Sequence, residues 1–281
     1  MYDLTWLDGN PPAKQYTNAQ KAKKQKMKRV LFIGINYVLS PANRLAGCAN
    51  DVRNMSALLN FERYGAYESR TLSDDMEGAT WPSRRNVLDA ISWLVGSLKF
   101  GDEAVLHYSG HGGLTVDLSG DEETGYDSCI YPISETGAVE CITDDELREL
   151  LVMRVPRGAS CTVIFDCCHS GTCLDLRYGY RPISDTELVI AETPKYPKGK
   201  GSVVFLSGCA DNQTAAESGS VPSGALTNAL IAALKKETKM KRVMWATRKM
   251  LREAGFAQTP QLSSSVPFGL SSPMFRSLKE L

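Results

Sequence analysis

Two short stretches of the 281-residue sequence hold the residue types of thiol-dependent acyl transfer. One is His107-Tyr-Ser-Gly-His111-Gly-Gly113, the other Asp166-Cys-Cys168-His-Ser-Gly171. A cysteine thiol is mostly protonated at neutral pH, and a nearby imidazole can take its proton and hold the reactive thiolate. His111 and Cys168 are therefore the candidate base and nucleophile. Glycines around both let a peptide backbone approach closely, and the N–H groups of Gly112 and Cys168 are natural oxyanion donors. Either residue alone reads as well as a loop histidine or a buried small side chain. Their shared setting argues for chemistry: each stands at the exit of an apolar run and each is flanked by glycine. His107, which ends its run, reads as a hydrogen-bonded structural histidine.

The elements that must position these groups follow from the apolar pattern. Residues 29–35, 103–108 and 160–165 are short continuous apolar runs, as in strands buried on both faces. Shorter strands are expected at 69–72, 129–131 and 202–206. Helical spacing predicts helices over 50–60, 83–98, 143–153, 223–236 and 243–254. Ser83 is placed to cap the second, and Thr143 with Glu146 has capping-box spacing. Strands alternating with helices predict an α/β fold with a mostly parallel central sheet flanked by helices. In open parallel sheets the working groups gather beyond the carboxyl ends of the strands, where His111 and Cys168 fall.

Composition narrows the function classes. Lys plus Arg and Asp plus Glu both total 32, so no basic excess favours nucleic acid as a partner. With 43% hydrophobic and 23% charged residues the chain is globular in composition. No apolar run is long enough to span a bilayer and no signal peptide is readable, which predicts a cytoplasmic protein with reduced thiols. Residues 1–27 read as an irregular extension. Their Pro11-Pro12 pair and the basic run from Lys21 to Arg29 suit a linker, or a cleavable or membrane-touching arm. Residues 28–281 read as one domain, with a loop at 177–200 between its two parts, 28–176 and 201–281.

Four segments together resemble the type I metacaspases, cysteine peptidases with a caspase-like three-layer sandwich. They are Gly34-Ile-Asn-Tyr37 with Leu45-Ala-Gly-Cys-Ala-Asn-Asp51, His107-Tyr-Ser-Gly-His-Gly, Asp166-Cys-Cys-His-Ser-Gly and Gln258-Thr-Pro-Gln-Leu-Ser263. Animal caspases would instead carry a Gln-Ala-Cys-x-Gly nucleophile segment. The resemblance implies His111 as base and Cys168, not Cys167, as nucleophile. It places Asp51 and Asp166 in the pocket for the residue before the scissile bond, with Cys48 and Ser109 beside them. Two carboxylates there favour Arg or Lys and repel Asp.

From the residues alone, Asp144 and Asp145 read as a helix-start pair, and the chain has no EF-hand loop. The resemblance instead implies a calcium site at Asp127, Asp144, Asp145 and Asp175, whose oxygens suit a hard cation. The acidic stretch Asp121 to Glu123 reads as solvated loop. The resemblance further implies a monomer, a zymogen that cleaves itself, and protein or peptide substrates with Arg or Lys before the scissile bond. Two alternatives stand beside this reading. One is an asparagine-specific or gingipain-like peptidase of the same fold. The other is a weakly proteolytic quality-control or scaffold factor.

Overall fold

The computed structural model describes residues 26–60, 64–65, 67–120, 122, 124–168, 173–182, 187–208, 217–218 and 222–275. The expectations for residues 1–25, Asp121, Glu123 and His169 lie outside the described residues.

Apolar runs become strands and periodic segments become helices where the sequence places them. In chain order the elements begin with β1 (Lys28–Gly34), α1 (Cys48–Leu59), β2 (Glu68–Ser73), α2 (Arg84–Val95) and β3 (Glu103–Ser109). A small side sheet follows: β4 (Gly112–Val116), β5 (Tyr126–Ile130) and β6 (Ile142–Thr143). Next are α3 (Asp144–Leu147), β7 (Ser160–Asp166), β8 (Tyr178–Pro182), β9 (Leu188–Glu192) and β10 (Ser202–Ser207). The chain closes with β11 (Glu217–Ser218), β12 (Ser223–Gly224), α4 (Ala225–Leu234), α5 (Met240–Glu253) and β13 (Gln261–Ser264).

The main sheet has the order β2-β1-β3-β7-β10-β13-β8-β9 among the described residues. Its first five strands are mutually parallel, and β13, β8 and β9 continue it through antiparallel pairs. Side chains alternate across it, as the pleat requires. Leu31 and Ile33 of β1 pack with Val87, Ile91 and Leu94 of α2 on one face. Val30 and Phe32 pack with Val52 and Met55 of α1, Leu230 of α4 and Val243 of α5 on the other. Helices on both faces of a largely parallel sheet make the three-layer, caspase-like sandwich.

Three local expectations change. The segment read as a loop at 177–200 contains the β8–β9 hairpin: β8 is short without an apolar run, and the Leu188-Val-Ile-Ala191 run of β9 is left largely exposed at the edge of the sheet. The helix expected over 143–153 is one α-turn running into a π-helical stretch at Arg148–Val152. It does begin with the expected capping box of Thr143 and Glu146. Ser83 stands at the N-cap of α2, yet its side chain makes no capping hydrogen bond.

His107, in β3, is fully buried on the α4 face, where its Nε2 lies 3.2 Å from Thr227 Oγ1. Burial pushes its pKa down to about 3, because the imidazolium would lose its hydration. In the unfolded chain the ring takes a proton near pH 6.5. The unfolded state thus binds more protons below that pH, so this contribution is complete above 6.5 and is lost as pH falls towards 3. Urea unfolding at pH 7.5 and pH 5 should show His107→Gln flattening the pH dependence by on the order of 2 kcal/mol relative to wild type. Equal slopes for the two proteins would contradict the buried neutral ring.

Candidate active site

The parallel pairing of β3 with β7 sets Ser109 opposite Asp166. Each strand then continues for two residues, to His111 on one side and Cys168 on the other. Gly112 lies directly against this second chain: a Cβ there would collide with the Cys168 carbonyl oxygen and stand 3.0 Å from Cys167 Sγ. The two loops therefore share one rim, which brings Gly112, His111 and Cys168 together. The adjacent cysteines differ in setting. Cys167 is 1% exposed and belongs to the core between the sheet and α2, while Cys168 is half-buried at the rim.

Several groups fix His111. Its backbone N–H donates to Tyr37 Oη at 2.9 Å, and its carbonyl accepts from Tyr108 Oη at 2.6 Å. The Tyr37 ring packs 4.6 Å from the imidazole, centroid to centroid. Its hydroxyl donates to the Tyr131 carbonyl at 2.7 Å, tying this corner to the side sheet. Nε2 of His111 lies 2.8 Å from the carbonyl oxygen of Asn43, in the 3-10 turn Pro41–Asn43. A carbonyl can only accept, so Nε2 carries the proton of the neutral ring and Nδ1 keeps its lone pair. An imidazole oriented by a third group in this way is the arrangement nucleophilic catalysis needs. Sequence reasoning missed Asn43, since a backbone acceptor has no residue-type signature.

Beside the dyad lie two buried carboxylates, Asp51 at 1% and Asp166 at 5% exposure. Asp51 stands in the first turn of α1, where the helix end favours negative charge. Its Oδ2 accepts from Ser109 Oγ at 2.6 Å. Its Oδ1 accepts from the Gly224 N–H at 2.8 Å and from the Ser223 hydroxyl. Asp166 Oδ2 accepts from the Thr227 N–H at 2.8 Å. That N–H belongs to the first turn of α4, whose N-cap residue, Gly224, has no side chain with which to satisfy it. Cys48 is buried one turn before Asp51 on α1. Of the four residues expected for the pocket, Ser109 stands opposite Asp166 and is bonded to Asp51, and Cys48 lies one turn from Asp51 on α1. Ser223, Gly224 and Thr227 join the two carboxylates from 61 to 173 positions away, without any local sequence signal.

A second acidic cluster lies beyond the side sheet. Carboxylate oxygens of Glu122, Asp144 and Asp175 fall within 4.8 Å of one another. Burial, then Asp175, then Asp127, push the Asp144 carboxyl up to about 8. Asp175 has φ 47°, a left-handed backbone that Asp tolerates better than most side chains. Asp145 pairs with Arg148 at 2.8 Å, and the same guanidinium lies 3.6 Å from Asp175 of the cluster. One expectation is corrected here. Glu122, from the stretch read as solvated loop, is held in the cluster by Tyr196 Oη at 2.9 Å and Lys195 at 3.6 Å. Three converging carboxylates, one of them disfavoured as an anion, form a donor set that fits a hard divalent cation.

Among the described residues no helix is long and apolar enough to cross a membrane. Residues 28–177 match the model of the metacaspase, peptidase C14 domain. The chain is 38% identical to Metacaspase-3 of Trypanosoma cruzi over 86% of its own length and 72% of that protein's. It is 37% identical to Metacaspase-1B of Neosartorya fischeri, with 86% and 70% covered. A crystal structure of a Geobacter sulfurreducens protein superposes with a TM-score of 0.66 at 26% identity, covering 90% of this chain and 99% of that one. With the caspase-like sheet, the paired strand ends and this match over most of its length, the chain belongs to the metacaspase family of cysteine peptidases.

Proposed function

We propose that this protein is a calcium-dependent endopeptidase that cleaves after Arg or Lys through a Cys168–His111 dyad. One observation carries the specificity: Asp51 and Asp166, both buried, meet at Gly224 next to the dyad. The hydroxyl and N–H donors from Ser109, Gly224 and Thr227 stabilise the charge without cancelling it. The pocket therefore stays negative and selects a cationic side chain.

The chemistry follows from the residues. With a basic side chain in the pocket, the scissile carbonyl lies over the rim shared by Gly112 and Cys168. His111 Nδ1 takes the Cys168 thiol proton while Asn43 holds Nε2–H. The thiolate attacks the carbonyl carbon, and the N–H groups of Gly112 and Cys168 receive the oxyanion. The imidazolium returns its proton to the leaving amine, giving an acyl-enzyme. A water deprotonated by His111 then releases the acid and the thiol.

Glu122, Asp144 and Asp175, with Asp127 beside them, would hold calcium, which supplies positive charge that offsets theirs and orders the chain after Cys168. Arg148, 3.6 Å from Asp175 Oδ2, and Lys195 partly fill that role from the protein's own side. Self-cleavage fits the same reading. Lys198 and Lys200 are exposed in the segment after β9, whereas Arg177 is tied down by Glu192 and the carbonyls of Pro194 and Tyr196. A monomer is proposed as well, since the chain's own β8–β9 hairpin already covers the β13 side of the sheet.

Three outcomes are expected. Cys168→Ala and His111→Ala each reduce peptide turnover at least about 10³-fold with unchanged circular dichroism, and the double variant is no worse than either. A folded, active Cys168→Ala protein would move the nucleophile elsewhere. In fluorogenic peptides, Arg or Lys before the scissile bond is preferred over Asp. Asp51→Asn or Asp166→Asn lowers kcat/KM for Arg peptides by about 2–3 kcal/mol, the scale of a buried charge-assisted hydrogen bond. Efficient cleavage after Asp would contradict the pocket. Calcium raises the melting temperature of Cys168→Ala, and Asp144→Asn or Glu122→Gln weakens that shift at least about tenfold in half-saturating calcium. Full wild-type activity in chelator, or a melting temperature indifferent to calcium, would remove calcium from the account.

A further inference from the structure

The turns after the parallel strands carry His111 and Cys168. The turns before those strands form the other end of the molecule, about 20 Å away along seven-residue strands. That end is basic. Lys26, Lys99, Arg157, Lys200, Lys236 and Lys239 are exposed there, and none of the six is in an ion pair among the described residues. Nearby acidic groups are turned inward or matched by a cation of their own. Asp102 accepts from the backbone N–H groups of Met27 at 2.9 Å and Lys99 at 2.7 Å. Glu103 pairs with Lys28 at 3.2 Å, Glu68 with Arg29 at 2.9 Å and Glu237 with Arg242 at 3.6 Å. A chain of zero net charge thus separates its charges, with Asp51 and Asp166 at the Cys168 end and exposed cations at the other.

Phe100 stands among these cations at 79% exposure. A single exposed apolar residue is ordinary, so its setting is what counts. The Gly101 N–H donates to the Gly158 carbonyl at 2.8 Å, joining the turn that carries Phe100 to the turn before β7. Gly158, at φ 83°, lies against the Phe100 ring, which a Cβ there would strike. Lys26 Nζ is 6.0 Å from the ring centroid. Gly158 also shares a hollow of about 590 Å³ with Lys200 and with Met240, the neighbour of Lys239, so the cations continue from Phe100 to the start of α5. We propose that this end is a docking surface for a bilayer of anionic phospholipid: Phe100 enters the interfacial layer while the surrounding Lys and Arg side chains meet the lipid headgroups. An apolar insertion and a polybasic patch are together the two signals that stable peripheral attachment needs. A duplex nucleic acid would use the cations but not Phe100. In sequence, Lys21, Lys23 and Lys24 lead up to Lys26 and extend the same basic run. Docking by this end leaves His111 and Cys168 facing away from the bilayer.

Vesicle co-sedimentation of the full chain tests this, as the Cys168→Ala protein in chelator, so that neither self-cleavage nor calcium bridging contributes. Phosphatidylcholine vesicles with and without phosphatidylserine are compared at low and at high salt. Binding is expected to be at least about tenfold tighter with phosphatidylserine and to be lost at high salt. Phe100→Ser and the double variant Lys99→Glu/Arg157→Glu are each expected to weaken it at least about fivefold. Both should keep the melting temperature and, in protein that retains Cys168, the peptide turnover. Equal binding to the two kinds of vesicle, or none, overturns the proposal. Binding that both variants leave intact overturns it as well, since it then comes from residues outside this surface. Weakening by Phe100→Ser alone or by charge reversal alone overturns the bilayer reading; in the second case, competition by a duplex DNA fragment identifies a general polyanion site.

Discussion

The register that sets Ser109 of β3 against Asp166 of β7 decides where the functional groups go. Two residues past that pair, one strand delivers His111 and the other Cys168. At the pair itself, Ser109 reaches Asp51 while Asp166 turns to α4. A one-residue slip would send one member of each pair to the opposite face of the sheet. The packing on both faces opposes it, because all seven residues of β3 are buried between α1 and α2, and exchanging faces would press each side chain into space shaped for another. The placement of His111 with Cys168 and that of Asp51 with Asp166 are thus two readouts of one strand alignment.

The molecule carries two concentrations of negative charge and treats them differently. At the pocket, hydroxyls and backbone N–H groups hold Asp51, and the start of α4 holds Asp166. These donors are dipoles, which stabilise the charge without carrying an opposite one. At the Glu122, Asp144 and Asp175 cluster the nearby donors include full charges, Arg148 and Lys195. Even so, Asp144 is pushed towards its neutral form at ordinary pH by burial and by Asp175. The cluster is short of positive charge and, through Asp175, lies seven residues from Cys168 in sequence.

Much of this was legible in the sequence because it is local. Apolar runs announce buried strands, so β1, β3, β7 and β10 stand near their expected places. The glycine-flanked His111 and Cys168 sit where those runs end. What could not be read is tertiary. β8 and β13 are short and lack an apolar run, β9 has one that is largely exposed, and β13 pairs with β10 and β8 from far along the chain. Glu122 looked like an ordinary acidic loop residue until Tyr196 brought it to Asp144 and Asp175. Ser223 and Gly224 meet Asp51 across more than 170 positions, and Asn43 acts through a carbonyl that every residue has.

One labelling measurement tests the central claim most directly. The protein is treated with an irreversible thiol-reactive peptide ketone ending in Arg, and in parallel with its Asp counterpart, and the adducts are mapped by mass spectrometry. The account predicts that the Arg reagent modifies Cys168 alone, that the Asp reagent leaves it unmodified, and that His111→Ala slows the reaction. An adduct on Cys167, or equal labelling of Cys168 by both reagents, would contradict it.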